Sequence, residues 1–123
     1  MLEIDGAKYD IPVLSITRTA EFLDKYAERT RNDGALHREL IGVYFNYKLQ
    51  LGAGLNLKEY ERLWKKLTEP KEFHTVTVPD ETGEFTFKAY FSGVGDELLL
   101  QKGTKNYWKN LTVEFIAQAP ARR

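Results

Sequence analysis

The 123-residue chain contains no cysteine. That absence removes a disulfide scaffold, a thiolate zinc site and a cysteine nucleophile together. Histidine is nearly as scarce, with only His37 and His74. Neither has a second histidine at ligand spacing, so no metal site is expected. His74 alternates with Val76 and Val78 and reads as a hydrogen-bonded sheet histidine, while His37-Arg38-Glu39 follows a turn, where exposed charges are ordinary. Net charge is missing as well: 18 Lys plus Arg face 18 Asp plus Glu, leaving no global field to attract nucleic acid or an anionic membrane. No basic leader opens the chain, and no run approaches the roughly 18 apolar residues of a membrane span. Synthesis in the cytoplasm is the expectation.

The signatures of common catalysis are absent too. There is no Gly-x-Ser-x-Gly elbow, and Gly93-x-Gly95 is followed by Asp96-Glu97 where a phosphate loop would carry Lys-Ser or a third glycine. Gly52-x-Gly54 precedes a helix, the arrangement that can bind an anion, but a flexible strand-to-helix turn accounts for it. The acidic pairs Asp80-Glu81 and Asp96-Glu97 read as solvated turns rather than as a glycosidase dyad or a hard-cation site. The sequence therefore predicts a non-enzyme with no cofactor, metal or small-molecule substrate.

What the chain does have is one strong helical period in a background of alternation. Leu57, Tyr60, Leu63, Trp64 and Leu67 share one arc of a helical wheel, and Lys58, Glu59, Glu61, Arg62, Lys65 and Lys66 hold the other face. Asn56 is the candidate N-cap, Glu59 the candidate capping-box carboxylate, and Pro70 the stop. A helix this short must bury its apolar face to persist. Trp64, at the centre of the arc, is expected to anchor it to a sheet.

The remaining segments read as strands. Leu2 to Ile4 and Ala7 to Ile11 flank an Asp5-Gly6 hairpin turn. From Val13 to Ala20 residues alternate, with Leu14 and Ile16 on the same side as Arg18. Ala20 to Leu36 is ambiguous between an irregular or hairpin-like arm and a short surface helix; Arg31-Asn32-Asp33-Gly34 is a turn signal that favours the arm. Glu39 to Leu51 is the strongest strand, long enough to require a bend or bulge near Gly42. A hairpin over Phe73 to Val78 and Glu84 to Ser92 follows the helix. Gly93-Val94-Gly95-Asp96 is expected to break the chain before Glu97 to Lys102, and Tyr107 to Ala117 forms the last strand, with Lys109 the one charge on its apolar side. The prediction is mainly β: a single domain, 1–123, formed by an antiparallel β-sandwich or partly open barrel of about seven strands with one flanking helix.

Aromatic residues are plentiful, with seven Phe, seven Tyr and two Trp. Tyr44, Tyr90 and Trp108 fall on the less apolar sides of their strands, where they can cover a neighbouring element or subunit, or stack on a sugar or a base. The arm from Asp24 to Gly34 crowds charge into a segment unsuited to a core. Its Lys25, Arg29 and Arg31 are candidate interface residues, because guanidinium groups in particular suit interface ion pairs.

From about Leu36 to Pro120 the chain resembles small proteins encoded in the tail-gene modules of phages and prophages of Gram-positive bacteria. The carriers are His37-Arg38-Glu39 leading into Ile41-Gly42-Val43-Tyr44, Asn46-Tyr47, Trp64, Leu67 and Pro70, His74-Thr75-Val76, Phe87-Lys88-Ala89-Tyr90, and Tyr107-Trp108 through Leu111 to Ala117 and Pro120. The element order is also similar to tail-tube and distal-tail ring domains. The resemblance implies a virion tail component that assembles with itself, commonly as a hexameric ring, and with other tail proteins. A small carbohydrate- or peptide-binding module using the exposed aromatics is the alternative.

Overall fold

The computed structural model describes residues 2–29, 34–52 and 56–123. Seven strands form one wholly antiparallel sheet: β1 (Leu2–Ile4), β2 (Ala7–Tyr9), β3 (Val13–Arg29), β4 (Leu36–Leu51), β5 (His74–Asp80), β6 (Gly83–Lys102) and β7 (Lys105–Ala117), with helix α1 (Leu57–Leu67) between β4 and β5. The strand order is β2-β1-β5-β6-β7-β4-β3. The sheet curls until the start of β3 approaches β5, where Arg18 donates to Glu81 at 2.7 Å and a groove lined by Val13, Ile16, Leu49 and Val78 marks the seam. This is the expected sandwich-like, partly open barrel. Its edges are unequal: β2 is three residues long, whereas β3 is 17 residues long and, among the described residues, pairs with β4 alone.

The core follows directly from alternation. Tyr47, Leu49 and Leu51 of β4 meet Leu111, Val113 and Phe115 of β7, all at most 1% exposed. Val76 and Val78 from β5 and Leu2 and Ile4 from β1 complete it. Helix α1 closes this core with Tyr60, Leu63 and Leu67. Leu63 is fully buried, while Trp64 is only partly buried beside the cluster. The anchor is therefore Leu63 rather than Trp64, because the arc that faces the sheet is centred one residue earlier than the wheel implies. The Asn56 side chain accepts from the Glu59 amide at 3.3 Å, as an N-cap should. On the helix flank, Arg62 donates to the Lys8 carbonyl at 2.6 Å and lies 4.3 Å above the Tyr9 ring, tying α1 to β2.

Asp5 and Gly6 have φ of 51° and 82°, the pair of left-handed residues that a tight β1–β2 turn requires. The Asp5 carboxylate also reaches across the sheet. It accepts from His74 Nδ1 at 2.7 Å and from the Thr75 amide at 2.8 Å, and Lys66 and Lys71 stand 3.7 and 3.6 Å away. His74 is 2% exposed and stacks on Phe91 at 4.5 Å, so the sheet-histidine reading holds. Burial works against the charge on Asp5, but the His74 and Thr75 hydrogen bonds and the His74 and Lys71 charges outweigh it and hold its carboxyl at about 2, against 3.8 ordinarily.

Two segments differ from the expectation, and between them a third resolves an ambiguity. Alternation at the start of β3 slips between Val13 and Ser15, so Val13 and Ile16 pack on the core while Leu14 is 62% exposed. The stretch after Ala20 takes the hairpin-like form expected of the arm and not the helical one: β3 continues to Arg29, paired with β4 from Leu36 onward. Its bulges fall at Asp24, opposite Leu40 and beside Gly42, where the bend was expected. Finally, Gly93-Val94-Gly95-Asp96 does not end a strand. β6 runs through it with register shifts between Ser92 and Gly95 and between Gly95 and Glu97, because a bulge absorbs an extra residue without breaking the ladder.

Candidate functional site

β4 and β7 pair only from Tyr47↔Phe115 to Leu51↔Leu111. Being antiparallel, they overrun one another in opposite directions, so the β3–β4 hairpin and the β6–β7 hairpin project from opposite ends of the sheet. These two-stranded ribbons carry most of the exposed large apolar side chains of the described residues.

The β3–β4 ribbon forms an arm. Phe22 (58% exposed), Leu23, Leu40 and Ile41 are all exposed, and because each pair is consecutive in a strand, both faces of the ribbon are apolar. Arg38 spans it, donating to Asp24 at 2.9 Å with its guanidinium 5.9 Å from the Phe22 ring centroid. At the root, the C-terminal segment closes over β4: the Val43 amide donates to the Arg122 carbonyl at 2.8 Å. A Cβ on Gly42 would lie 2.6 Å from Pro120 Cβ and 2.8 Å from the Arg122 oxygen, so only glycine allows this approach.

The β6–β7 ribbon is different, because one of its faces meets α1. Between them lies a cleft of about 520 Å³ whose lining includes Trp64 and Trp108 together with Tyr60, Glu61, Asp96 and Lys105. The Tyr60 hydroxyl donates to Asp96 Oδ2 at 2.7 Å. Burial first, and then the Asp96 hydrogen bond and charge, push the Tyr60 phenol far above its usual range. Glu61 is occupied by Lys65 at 2.8 Å.

Paired irregularities aim these groups. Along β6 the inward residues are Phe85, Phe87, Ala89 and Phe91, at odd positions; past the bulge they are Val94 and Asp96, at even ones. Along β7 the inward residues Phe115, Val113 and Leu111 give way to Trp108 and Asn106 in the cleft. The switch falls at Asn110, a non-glycine residue with φ of 54°. Asp96 is therefore not in a solvated turn, and Trp108 does not share a face with Thr112. Lys109, assigned by plain alternation to the apolar side, instead sits opposite Glu97.

The structure does not gather the predicted interface residues into one site. Lys25 is exposed on the arm, Arg29 is the last residue of β3, and Arg31 lies outside the described residues. Tyr44 is partly buried opposite Glu21 near the arm's root. Tyr90, 45% exposed, lies edge-on to Phe73 on the outer face of β6, and Trp108 belongs to the cleft. Gly54 of the Gly52-x-Gly54 turn lies outside the described residues. Asp80 accepts from the Thr82 amide and hydroxyl and Glu81 pairs with Arg18, an ordinary turn. Among the described residues no group of three or more His, Asp or Glu side chains is placed to hold a metal. Sequence reasoning missed Tyr60 and Asp96 as partners. The signal was the double glycine at 93 and 95, which shifts the alternation of β6 as readily as it ends a strand.

No protein-family model, characterised protein or solved structure matches the chain.

Proposed function

We propose that this chain is a non-enzymatic structural or assembly component of a phage or prophage tail, made in the host cytoplasm and working by self-association and by docking on other tail proteins. The observation that carries this reading is the arm. A two-stranded ribbon is marginal in water by itself, and this one has apolar side chains on both faces and an outer edge on β3 that, among the described residues, has no strand paired to it. Such an edge is a template for another strand. A second copy of the chain is the first partner, with the sheet continuing from subunit to subunit in a ring. The tail context comes from the sequence resemblance, and the arm supplies the means of assembly.

Replacing residues 22–41, which include the exposed Phe22, Leu23, Leu40 and Ile41, with a short Gly-Ser turn tests this. The variant should keep the circular dichroism of a folded β protein while its sedimentation shifts to smaller species. A folded variant whose association is unchanged removes the arm from the interface and rejects the reading.

A further inference from the structure

We propose that the cleft between α1 and the β6–β7 ribbon binds an uncharged saccharide, with a pyranose ring held between Trp64 and Trp108 and its hydroxyls bonded to Asp96. The cleft lies at the end of the sheet opposite the arm, and the proposal does not depend on assembly.

Two strand irregularities meet here and turn side chains toward the helix: the bulge around Gly95 and the left-handed Asn110. Without them Trp108 and Asp96 would stand on the outer face. Bulges that re-aim side chains are common next to functional sites, and a left-handed residue other than glycine stores strain. Both of the chain's tryptophans end up in this one cleft, although Trp108 remains 37% exposed. An indole buried for packing alone would be covered.

The polar groups select among ligands. Tyr60 fixes Asp96 through Oδ2, leaving the other carboxylate oxygen to accept from a ligand hydroxyl. Thr104, Lys105 and Asn106 also line the cleft and bring donors, and Thr104 and Asn106 bring acceptors as well. A site presenting both kinds suits vicinal hydroxyls. The charges largely cancel, since Glu61 is neutralised by Lys65 and Lys105 offsets Asp96, so neither a cation nor an anion is favoured. Aromatic walls with a few placed polar groups, in a volume of about 520 Å³, match the general form of a small-molecule site. The ligand that has a flat apolar face, a hydroxylated rim and no charge is a sugar ring.

Because both tryptophans line the cleft, intrinsic fluorescence reports on it directly. The full chain is titrated with glucose, galactose and N-acetylglucosamine, each as the monosaccharide and as a short oligomer, to about 10 mM, ten times a millimolar Kd. Tetramethylammonium and inorganic phosphate are titrated in parallel. At least one saccharide should give a saturable change in emission, and its Kd should weaken at least tenfold in Asp96→Asn. In Trp108→Ala, with circular dichroism confirming the fold, calorimetry should find the same loss. Tighter binding of an oligomer than of its monomer identifies a polymeric glycan as the source, and equal binding a free sugar. A flat response to every saccharide overturns the proposal. So does saturation by tetramethylammonium or phosphate in place of a sugar, or saccharide binding that survives Asp96→Asn unchanged. Asp96→Asn keeps the volume of the side chain, so loss of binding in a folded variant reads the carboxylate itself.

Discussion

The two ribbons at opposite ends of the sheet are built alike and braced differently. Both extend a core hairpin beyond the core, and both expose large apolar residues: Phe22, Leu23, Leu40 and Ile41 on one, Leu98, Leu99, Leu100 and Trp108 on the other. The β6–β7 ribbon leans on α1 through the Tyr60–Asp96 hydrogen bond, and the contact leaves a cleft with placed polar groups. The arm has the C-terminal segment at Val43 and little beyond it. A helix against one face makes a ribbon into a wall of a site, whereas a ribbon bare on both faces has to find its cover in another molecule. That difference sorts the two ends into a ligand-binding end and an assembling end, and it can be broken from either side.

The largest effect is expected from Leu63→Ala. Leu63 is the fully buried centre of the helix face, and truncating such a leucine costs about 2 to 5 kcal/mol. The denaturation midpoint should fall accordingly, and amide exchange should rise first in the β6–β7 ribbon and later in the arm. Equal loss of protection at both ends would mean that the ribbons share their support. Next comes Gly42→Ala at the root of the arm, where the added methyl would sit 2.6 Å from Pro120. Overpacking of this kind costs about 1 to 3 kcal/mol. It should release residues 120–123 from β4, seen as faster exchange at the Val43 amide.

A smaller effect comes from Asp5, which joins the β1–β2 turn to β5 away from both ribbons. Its carboxyl titrates at about 2 in the folded chain against 3.8 ordinarily, so on acidification the unfolded chain takes up the proton first. The stabilisation is whole above pH 3.8 and is lost as pH falls toward 2. Asp5 is partly exposed, and solvent screening holds the contribution to about 1 kcal/mol. Asp5→Asn should flatten the fall in stability over that interval, measured by urea midpoints at successive pH values.

Much of this architecture is legible in the sequence because the period of each element is set by what it buries. The alternation from Phe45 to Leu51 and the helical arc from Leu57 to Leu67 both point at one core, and the Asp5-Gly6 turn has the residues its backbone angles need. Alternation misleads where no core reads it. Along the outer half of β3, Lys25 and its charged neighbours in sequence look like a loop because a strand that reaches beyond the core needs no core-facing pattern. At Gly95 and Asn110 the pattern is reset within a strand, and a strand that changes phase looks, in sequence, like two strands. That is why Asp96 reads as a turn residue and why its partner Tyr60, 36 positions earlier, is invisible. The cleft is the part of the molecule least available to sequence because it is made by those two resets.

The smallest expected change in stability separates the arm's two possible contributions to assembly, its side chains and its backbone edge. Phe22→Thr combined with Leu40→Thr removes two exposed apolar groups and introduces β-branched residues, which suit a strand. Both positions are more than 45% exposed, so the urea midpoint should move by no more than about 0.5 kcal/mol equivalent. Among the described residues the packed partner that is lost is the Arg38 guanidinium 5.9 Å from the Phe22 ring centroid, an exposed contact at the outer limit of its range that adds no more than about 0.5 kcal/mol. If the apolar faces drive association, sedimentation across a concentration series should show weaker self-association with the fold intact. If the unpaired backbone of β3 drives it, the double substitution should leave association untouched while removal of the arm abolishes it. The expectation is the first outcome, because edge pairing by itself gives main-chain hydrogen bonds that water already supplies, and those add only about 1 kcal/mol each. Burial of Phe22 and Leu40 against a neighbour adds about 1.5 to 3 kcal/mol per side chain. The arm then differs from the ribbon at the other end in one physical respect: its apolar faces are covered in the assembly, and those of the β6–β7 ribbon are partly covered already by α1.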